Sequence, residues 1–181
     1  VKGAWQEQAS AERHRLDTAC GRVANAVTVP SSGSLLALPR PSGQEHPVSV
    51  DDREEFLAWV KTALYEAELA LHNGDAAPRR ALWSRNDPVS VLGAWRNAHG
   101  HEEVDELFTA LSQTFSDCTS YTFELLAYDV AGDLAYTAGF EHTSASVDGV
   151  PRSYTLRATQ VYRRENGEWK VTHRHGDTVS D

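Results

Sequence analysis

The sequence has few cysteines, no long apolar run and no cluster of basic residues. Its two cysteines, Cys20 and Cys118, lie far apart and form no CxxC motif, so neither a disulfide framework nor a thiolate metal site is expected. No apolar run approaches the roughly 18 residues that cross a bilayer, and the start lacks a basic-then-apolar signal pattern. We therefore expect a soluble, cytoplasmic protein.

Acidic residues outnumber basic ones. The 181 residues include 26 Asp and Glu against 17 Lys and Arg, for a formal net charge of -9. Nucleic acids and anionic membranes require a clustered basic face, so neither is expected as a partner. Since a glycine-rich phosphate loop, a serine nucleophile elbow and an informative Cys–His pair are also missing, phosphoryl transfer and acyl-enzyme chemistry have little support.

The first 50 residues differ in composition from the rest. They are rich in Ser, Pro, Gly and Ala, show no sustained period of 2 or 3.6, and contain breakers such as Pro39-Arg-Pro-Ser-Gly43. We predict a poorly structured N-terminal extension over residues 1–50 and one α+β domain over residues 51–181.

Helical spacing of apolar residues begins near Asp51. Apolar side chains recur every three or four residues from Phe56 to Leu71, and Asn73-Gly74 ends the pattern, which predicts a long helix with one apolar face. Further on, Asp75 can cap a second helix. The elements predicted after the long helix are a short helix from Pro78 to Trp83, a short strand from Val89 to Trp95 and a third helix from Glu102 to Phe115.

The C-terminal third predicts an antiparallel meander. β-branched and aromatic residues are enriched there, and the turn sequences between the runs, such as Asp148-Gly149 and Asn166-Gly167, tolerate positive φ. Two runs reach about a dozen residues, so we expect a twisted, bent sheet with the helices gathered on one face. The predicted strands are Tyr121 to Asp129, Leu134 to Ser146, Ser153 to Arg164 and Glu168 to Asp177.

Two histidines and a carboxylate share one face of the last predicted strand. Alternation places His173, His175 and Asp177 on the side of Trp169 and Val171, which is the apolar, inner side. An inward imidazole can shuttle protons at neutral pH, but the same pattern also fits hydrogen-bonded core histidines. A third alternative is a metal site completed by other residues such as Glu141-His142, although spacing alone supports it weakly.

The preceding strand leaves its orientation open. Arg157 and Thr159 share a face, and hydrophobicity does not decide whether that face is the inner or the outer one. On an inner face Arg157 would need a carboxylate partner, whereas on an outer face it would be solvated. Aromatic residues upstream, Tyr65, Trp83 and Trp95, are of the type that lines small-molecule pockets, although packing alone also explains them.

Two sequence blocks carry a family resemblance. The strand Leu156-Arg-Ala-Thr-Gln-Val-Tyr-Arg-Arg164 and the ending Gly167-Glu-Trp-Lys-Val-Thr-His-Arg-His175, with His72-Asn-Gly-Asp75 upstream, resemble the SnoaL-like, ketosteroid isomerase-like branch of the nuclear transport factor 2-like superfamily. The resemblance covers residues 51–178. It implies a cystatin-like, cone-shaped α+β barrel in which a bent antiparallel sheet wraps three helices around an apolar pocket, usually in a homodimer.

The resemblance also suggests roles. It implies that Arg157, Thr159, His173 and His175 face the pocket. On the hypothesis that the pocket carries acid/base chemistry, we expect His173 to be the proton shuttle, His175 or Asp177 its orienter and Arg157 the anchor for an oxyanion. Tyr65, Trp83 and Trp95 complete the expected lining, and no metal or cofactor is expected. Because relatives include isomerases, cyclases, dehydratases, hydrolases and non-catalytic assembly domains, the fold does not decide whether the protein is an enzyme. Two hypotheses follow: a protein that binds a small apolar carbonyl or carboxylate compound with acid/base chemistry, and a non-catalytic homodimeric module.

Overall fold

The computed structural model describes residues 50–179, which form an α+β fold with helices on one face of a curved, unclosed, six-stranded sheet. The extension predicted for residues 1–50 lies outside the described residues, except for its last position. The elements are α1 (Val50–Trp59), a π-helical turn (Val60–Leu64), α2 (Tyr65–Leu71), α3 (Ala77–Leu82), β1 (Ser90–Gly93), β2 (Asn97–His99), α4 (Gly100–Thr114), β3 (Phe115–Ala131), β4 (Leu134–Val147), β5 (Val150–Glu165) and β6 (Glu168–Thr178).

The first three helical elements follow one another without a break and form the predicted long helix. Its apolar face is buried, as Phe56, Leu64 and Leu71 show. The π-helical turn in its middle, Val60–Leu64, was not predicted. A turn of this kind accommodates one extra residue within a helix and occurs frequently at functional sites.

The two shorter helices also match the prediction closely. The carboxylate of Asp75 accepts a hydrogen bond of 2.9 Å from the Ala77 amide at the start of α3, as expected of a capping residue. The last helix, α4, buries Val104, Leu107 and Phe108. Both helices therefore pack an apolar side inward.

The sheet has the strand order β2-β1-β6-β5-β4-β3. Strands β3 to β6 form the predicted antiparallel meander, whereas β1 lies parallel to β6. Asp148 and Asn166 have φ of 51° and 52° and are each followed by a positive-φ glycine, so the predicted hairpin turns are confirmed. The short strand β2, paired with β1, was not predicted.

Aromatic rings join the long helix to the sheet. Phe56 lies with its ring centroid 5.1 Å from Tyr162 on β5 and 5.1 Å from Trp169 on β6, both edge-on. Such contacts add to the burial of apolar area and place the helix across the sheet's inner face. No helix in the described part of the chain has the length and apolar character needed to cross a membrane.

Candidate functional site

A bulge in β6 reverses the faces of the last strand. Val161 pairs with His173 while Tyr162 pairs with Val171, so Thr172 is an extra residue on β6. An extra residue shifts the alternation of side chains by one position. Before the bulge, Trp169 and Val171 are buried as predicted, but after it the inward position passes from the histidines to Arg174.

The prediction that His173, His175 and Asp177 face the interior is therefore wrong. His175 is exposed, and Asp177 pairs at 2.7 Å with Arg157, whose side chain is 60% exposed. His173 Nδ1 lies 2.8 Å from the Ser90 hydroxyl on the neighbouring strand. Partial burial, and after it the neighbouring His175, lower the pKa of His173. These residues form a row on the outer face of the sheet.

The other predicted lining residues do not meet in one place. Thr159, opposite His175, is exposed on the outer face. Trp83 is buried in the core against Phe108, whereas Trp95 is 49% exposed. Tyr65 is partly exposed and its ring lies 5.7 Å from that of Tyr121.

The interior instead contains a buried ion pair between two strands. Arg174, the inward residue after the bulge, donates from Nη2 to Oε2 of Glu141 on β4. The side chains are only 15% and 3% exposed. Burial alone would lower the pKa of Arg174, but the carboxylates of Glu141 and then Glu68 raise it, so the guanidinium remains charged.

A second buried ion pair joins the helices to the same interior. Arg79 Nη2 on α3 lies 2.9 Å from Oε1 of Glu68 on α2 and donates a 2.8 Å hydrogen bond to Gln160 on β5. All three side chains are buried. Glu68 and Arg79 are close enough to form an ion pair. However, no N–H group points at Glu68 Oε1 with the direction that a hydrogen bond requires.

Two tyrosines and a histidine complete this group. His72 Nδ1 lies 2.7 Å from the Glu68 carbonyl oxygen, so this nitrogen donates and leaves Nε2 as acceptor for the Tyr154 hydroxyl at 3.1 Å. The imidazole stacks on Tyr121 at 5.5 Å. Burial, with the negative charge of Glu141, raises the pKa of both phenols, so they stay neutral hydrogen-bond donors. We call Glu68, His72, Arg79, Tyr121, Glu141, Tyr154, Gln160 and Arg174 the interior polar cluster.

Four buried atoms of this cluster have no hydrogen-bond partner among the described residues. They are Oε1 of Glu141, Oε1 of Glu68, and Nε and Nη1 of Arg79. Buried polar atoms are nearly always paired, and leaving one unpaired costs on the order of 1–3 kcal/mol. Two acceptor atoms and two donor atoms of the cluster are therefore left without a hydrogen bond within the described residues.

A groove of about 280 Å³ lies beside the cluster, between the π-helical turn and β3. Tyr121 belongs to both, because it lines the groove and stacks on His72. Its hydroxyl takes part in no hydrogen bond with any residue in the described range. A second, more open depression lies at the Asp117, Ser144 and Arg152 end of the sheet.

Sequence reasoning missed most of the cluster. One signal was available: Glu68 falls between Leu64 and Leu71 on the apolar stripe of the long helix, where a charged residue needs a partner. Glu141 was considered as a possible metal ligand and not as the partner of Arg174. Arg174 was assigned to the outer face because the bulge has no sequence signal.

The arrangement suits proton transfer on a polarised group. A carboxylate with a free oxygen can accept a proton, and neutral phenols and guanidinium groups can stabilise a developing oxyanion. Within residues 50–179, no group of three or more His, Cys, Asp or Glu side chains is placed to hold a metal ion.

Comparison with known families matches most of the chain. The model of a SnoaL-like domain matches residues 49–178. A search of functionally curated proteins finds no match.

Solved structures share the fold at low identity. A candidate dehydratase of the nuclear transport factor 2-like family from Streptomyces avermitilis has a TM-score of 0.58 and 24% identity, covering 74% of this chain and all of that one. A ketosteroid isomerase-like protein from Erwinia carotovora atroseptica has a TM-score of 0.57 and 19% identity, covering 70% and 98%. A candidate calcium/calmodulin-dependent protein kinase type II association domain from Thiobacillus denitrificans has a TM-score of 0.55 and 19% identity, covering 67% and 93%.

Proposed function

The chain belongs to the SnoaL-like domain family, and we propose that it binds a small, mostly apolar molecule carrying a carbonyl or carboxylate group at the interior polar cluster and moves a proton on it. The observation that carries this proposal is the set of unpaired buried atoms on Glu68, Arg79 and Glu141. A bound carbonyl oxygen would accept from Arg79, and an acidic hydrogen of the same molecule would face a carboxylate.

The proposed chemistry is of the isomerase or dehydratase type. Glu141 Oε1 is the base, because its other oxygen is held by Arg174 while Oε1 is free. Removing a proton next to a carbonyl places negative charge on the carbonyl oxygen, which the neutral hydroxyl of Tyr121 and the charge of Arg79 would stabilise. No step requires a metal.

Deuterium exchange tests this chemistry without knowledge of the natural substrate. The full chain is incubated in D₂O with 2-tetralone, an apolar ketone with acidic α-hydrogens, and loss of the α-proton signal is followed by NMR. We expect the wild type to accelerate exchange and Glu141→Gln, which keeps shape but removes the base, to lower the rate by about 100-fold or more.

The outer face supplies the matched control. Arg157→Gln disrupts an Arg–carboxylate pair between β5 and β6 on the outer face of the sheet, whereas Glu141→Gln disrupts one that spans from β4 to β6 on the inner face. It should leave exchange unchanged. Wild-type exchange at the background rate, or equal rates in wild type and Glu141→Gln, would rule out a base at this position.

The alternative is a non-catalytic, homodimeric binding or assembly module. It is favoured by exposed apolar side chains on β3 and β4, where Leu126 is 62% exposed, Leu134 53% and Tyr136 41%. Sedimentation velocity tests self-association: Leu126→Glu should shift a dimer to monomer if this face is the interface. A dimer without deuterium exchange or ligand-induced stabilisation would favour this alternative over the enzyme.

A further inference from the structure

The groove between the π-helical turn and β3 has the composition of a binding site for an amphipathic anion. Its walls are largely apolar, with Val60 and Leu64 from the helix facing Phe123 and Leu125 from the strand. The volume of about 280 Å³ lies at the lower end of ligand pockets and matches a molecule of roughly 10–15 non-hydrogen atoms. A bicyclic aromatic ring system has this size.

One unpaired cation stands at this groove. Every Lys and Arg within residues 50–179 forms an ion pair with a carboxylate, except Lys61 and Arg152. Lys61 belongs to the π-helical turn and lines the groove. In a chain with a net charge of -9, an exposed ammonium without a carboxylate beside an apolar surface is a complementary site for an anionic head group.

The inner wall adds a hydrogen-bond donor. Tyr121 lines the groove, its burial raises the pKa of the phenol, and its hydroxyl has no partner in the described part of the chain. The π-helical turn adds a further indication, because such turns are frequent at functional sites. The groove thus combines an apolar body, a cation and a neutral donor.

We propose that this groove binds an aromatic monocarboxylate, with the ring system between the helix and β3 and the carboxylate at Lys61. The site needs no contact with the buried ion pairs and shares only Tyr121 with the interior polar cluster, while Lys61, which would hold the carboxylate, belongs to the groove alone. The occupant is a free small molecule.

A pair of probes of the same shape isolates the charge. Naphthalene-2-carboxylate and its neutral amide, naphthalene-2-carboxamide, are titrated into the full chain and followed by calorimetry. We expect saturable 1:1 binding of both, with the carboxylate preferred two- to five-fold, since a solvent-exposed ion pair contributes no more than about 1 kcal/mol. Lys61→Gln should abolish the preference while the amide binds as before.

Two further variants make the test decisive. Arg152→Gln removes the other cation that has no ion pair within residues 50–179, which lies at the second depression, and should keep the preference. Leu125→Trp places a larger side chain in the groove, because Leu125 lines it from β3, and should weaken both probes at least ten-fold, with circular dichroism confirming the fold.

Each contrary result overturns the proposal. These results are no saturable binding to the wild type at millimolar probe, a preference that survives Lys61→Gln, or unchanged binding in folded Leu125→Trp. Glu141→Gln separates the two proposals, because it should lose deuterium exchange on 2-tetralone while still binding naphthalene-2-carboxylate.

Discussion

Arg174→Met tests the buried ion pair against its exposed counterpart. The Arg174 and Glu141 side chains are 15% and 3% exposed, whereas those of Arg157 and Asp177 are 60% and 46% exposed. Removing one partner of a buried pair leaves an uncompensated charge and costs on the order of 3–5 kcal/mol. The same change in an exposed pair costs about 0–1 kcal/mol because water screens both charges.

Urea unfolding followed by tryptophan fluorescence measures the difference. For an m-value of about 2 kcal/mol/M, Arg174→Met should lower the midpoint by roughly 1.5–2.5 M, and Arg157→Met by less than about 0.5 M. If the two variants unfold within 0.3 M of each other (~0.6 kcal/mol at this m-value), Arg174 is not the buried partner and the bulge at Thr172 does not set the inner face.

A double variant separates loss of the pair from loss of packing. Replacing Arg174 and Glu141 together by methionine removes both charges and keeps similar volume, so stability should return to within about 1 kcal/mol of the wild type. A double variant as unstable as Arg174→Met would mean that the arginine acts through packing, and the reasoning from charge would be refuted.

Two further predictions concern other positions. Gly139→Ala should cost about 1–3 kcal/mol in the same urea assay, because its Cβ would overlap the Glu124 carbonyl oxygen on β3; an unchanged midpoint would show that the strands have room to separate. The folded protein holds the pKa of His173 below its unfolded value, so the unfolded state binds the proton first and stability falls as pH drops below about 6.5. His173→Gln should therefore lose less stability between pH 7 and 5 than the wild type, and parallel pH profiles would contradict this.

Hydrophobic period and turn chemistry were sufficient to predict most of the helices and strands. The apolar face around Phe56, the capping role of Asp75 and the positive-φ turns at Asp148 and Asn166 are local features, and local features can be read directly from sequence. Local signals do not determine the strand order, because the parallel contact of β1 with β6 joins residues far apart in the chain.

The prediction of the site failed because of one residue, Thr172. Strand parity is a reliable guide only while alternation is unbroken, and the bulge at Thr172 exchanges the faces of Arg174 and His175. The amino-acid composition of β6 does not mark Thr172 as a bulge. The bulge arises from the way β6 pairs with Val161 and Tyr162 on β5, and this pairing cannot be read from β6 alone. A single irregularity therefore moved the predicted histidine site from the inner to the outer face, while the helices and turns stayed where they were predicted.

The π-helical turn at Val60–Leu64 determines which residues of α2 face the interior. One residue of a regular α-helix corresponds to about 100° of rotation, and this turn absorbs one. If the same residues formed a regular helix, the angular positions now held by Glu68 and His72 would pass to Ala67 and Leu71. Loss of a single codon in this turn would therefore restore a regular helix and keep Glu68 and His72 inward, whereas the faces exchange only if all the present residues are kept and the turn becomes regular.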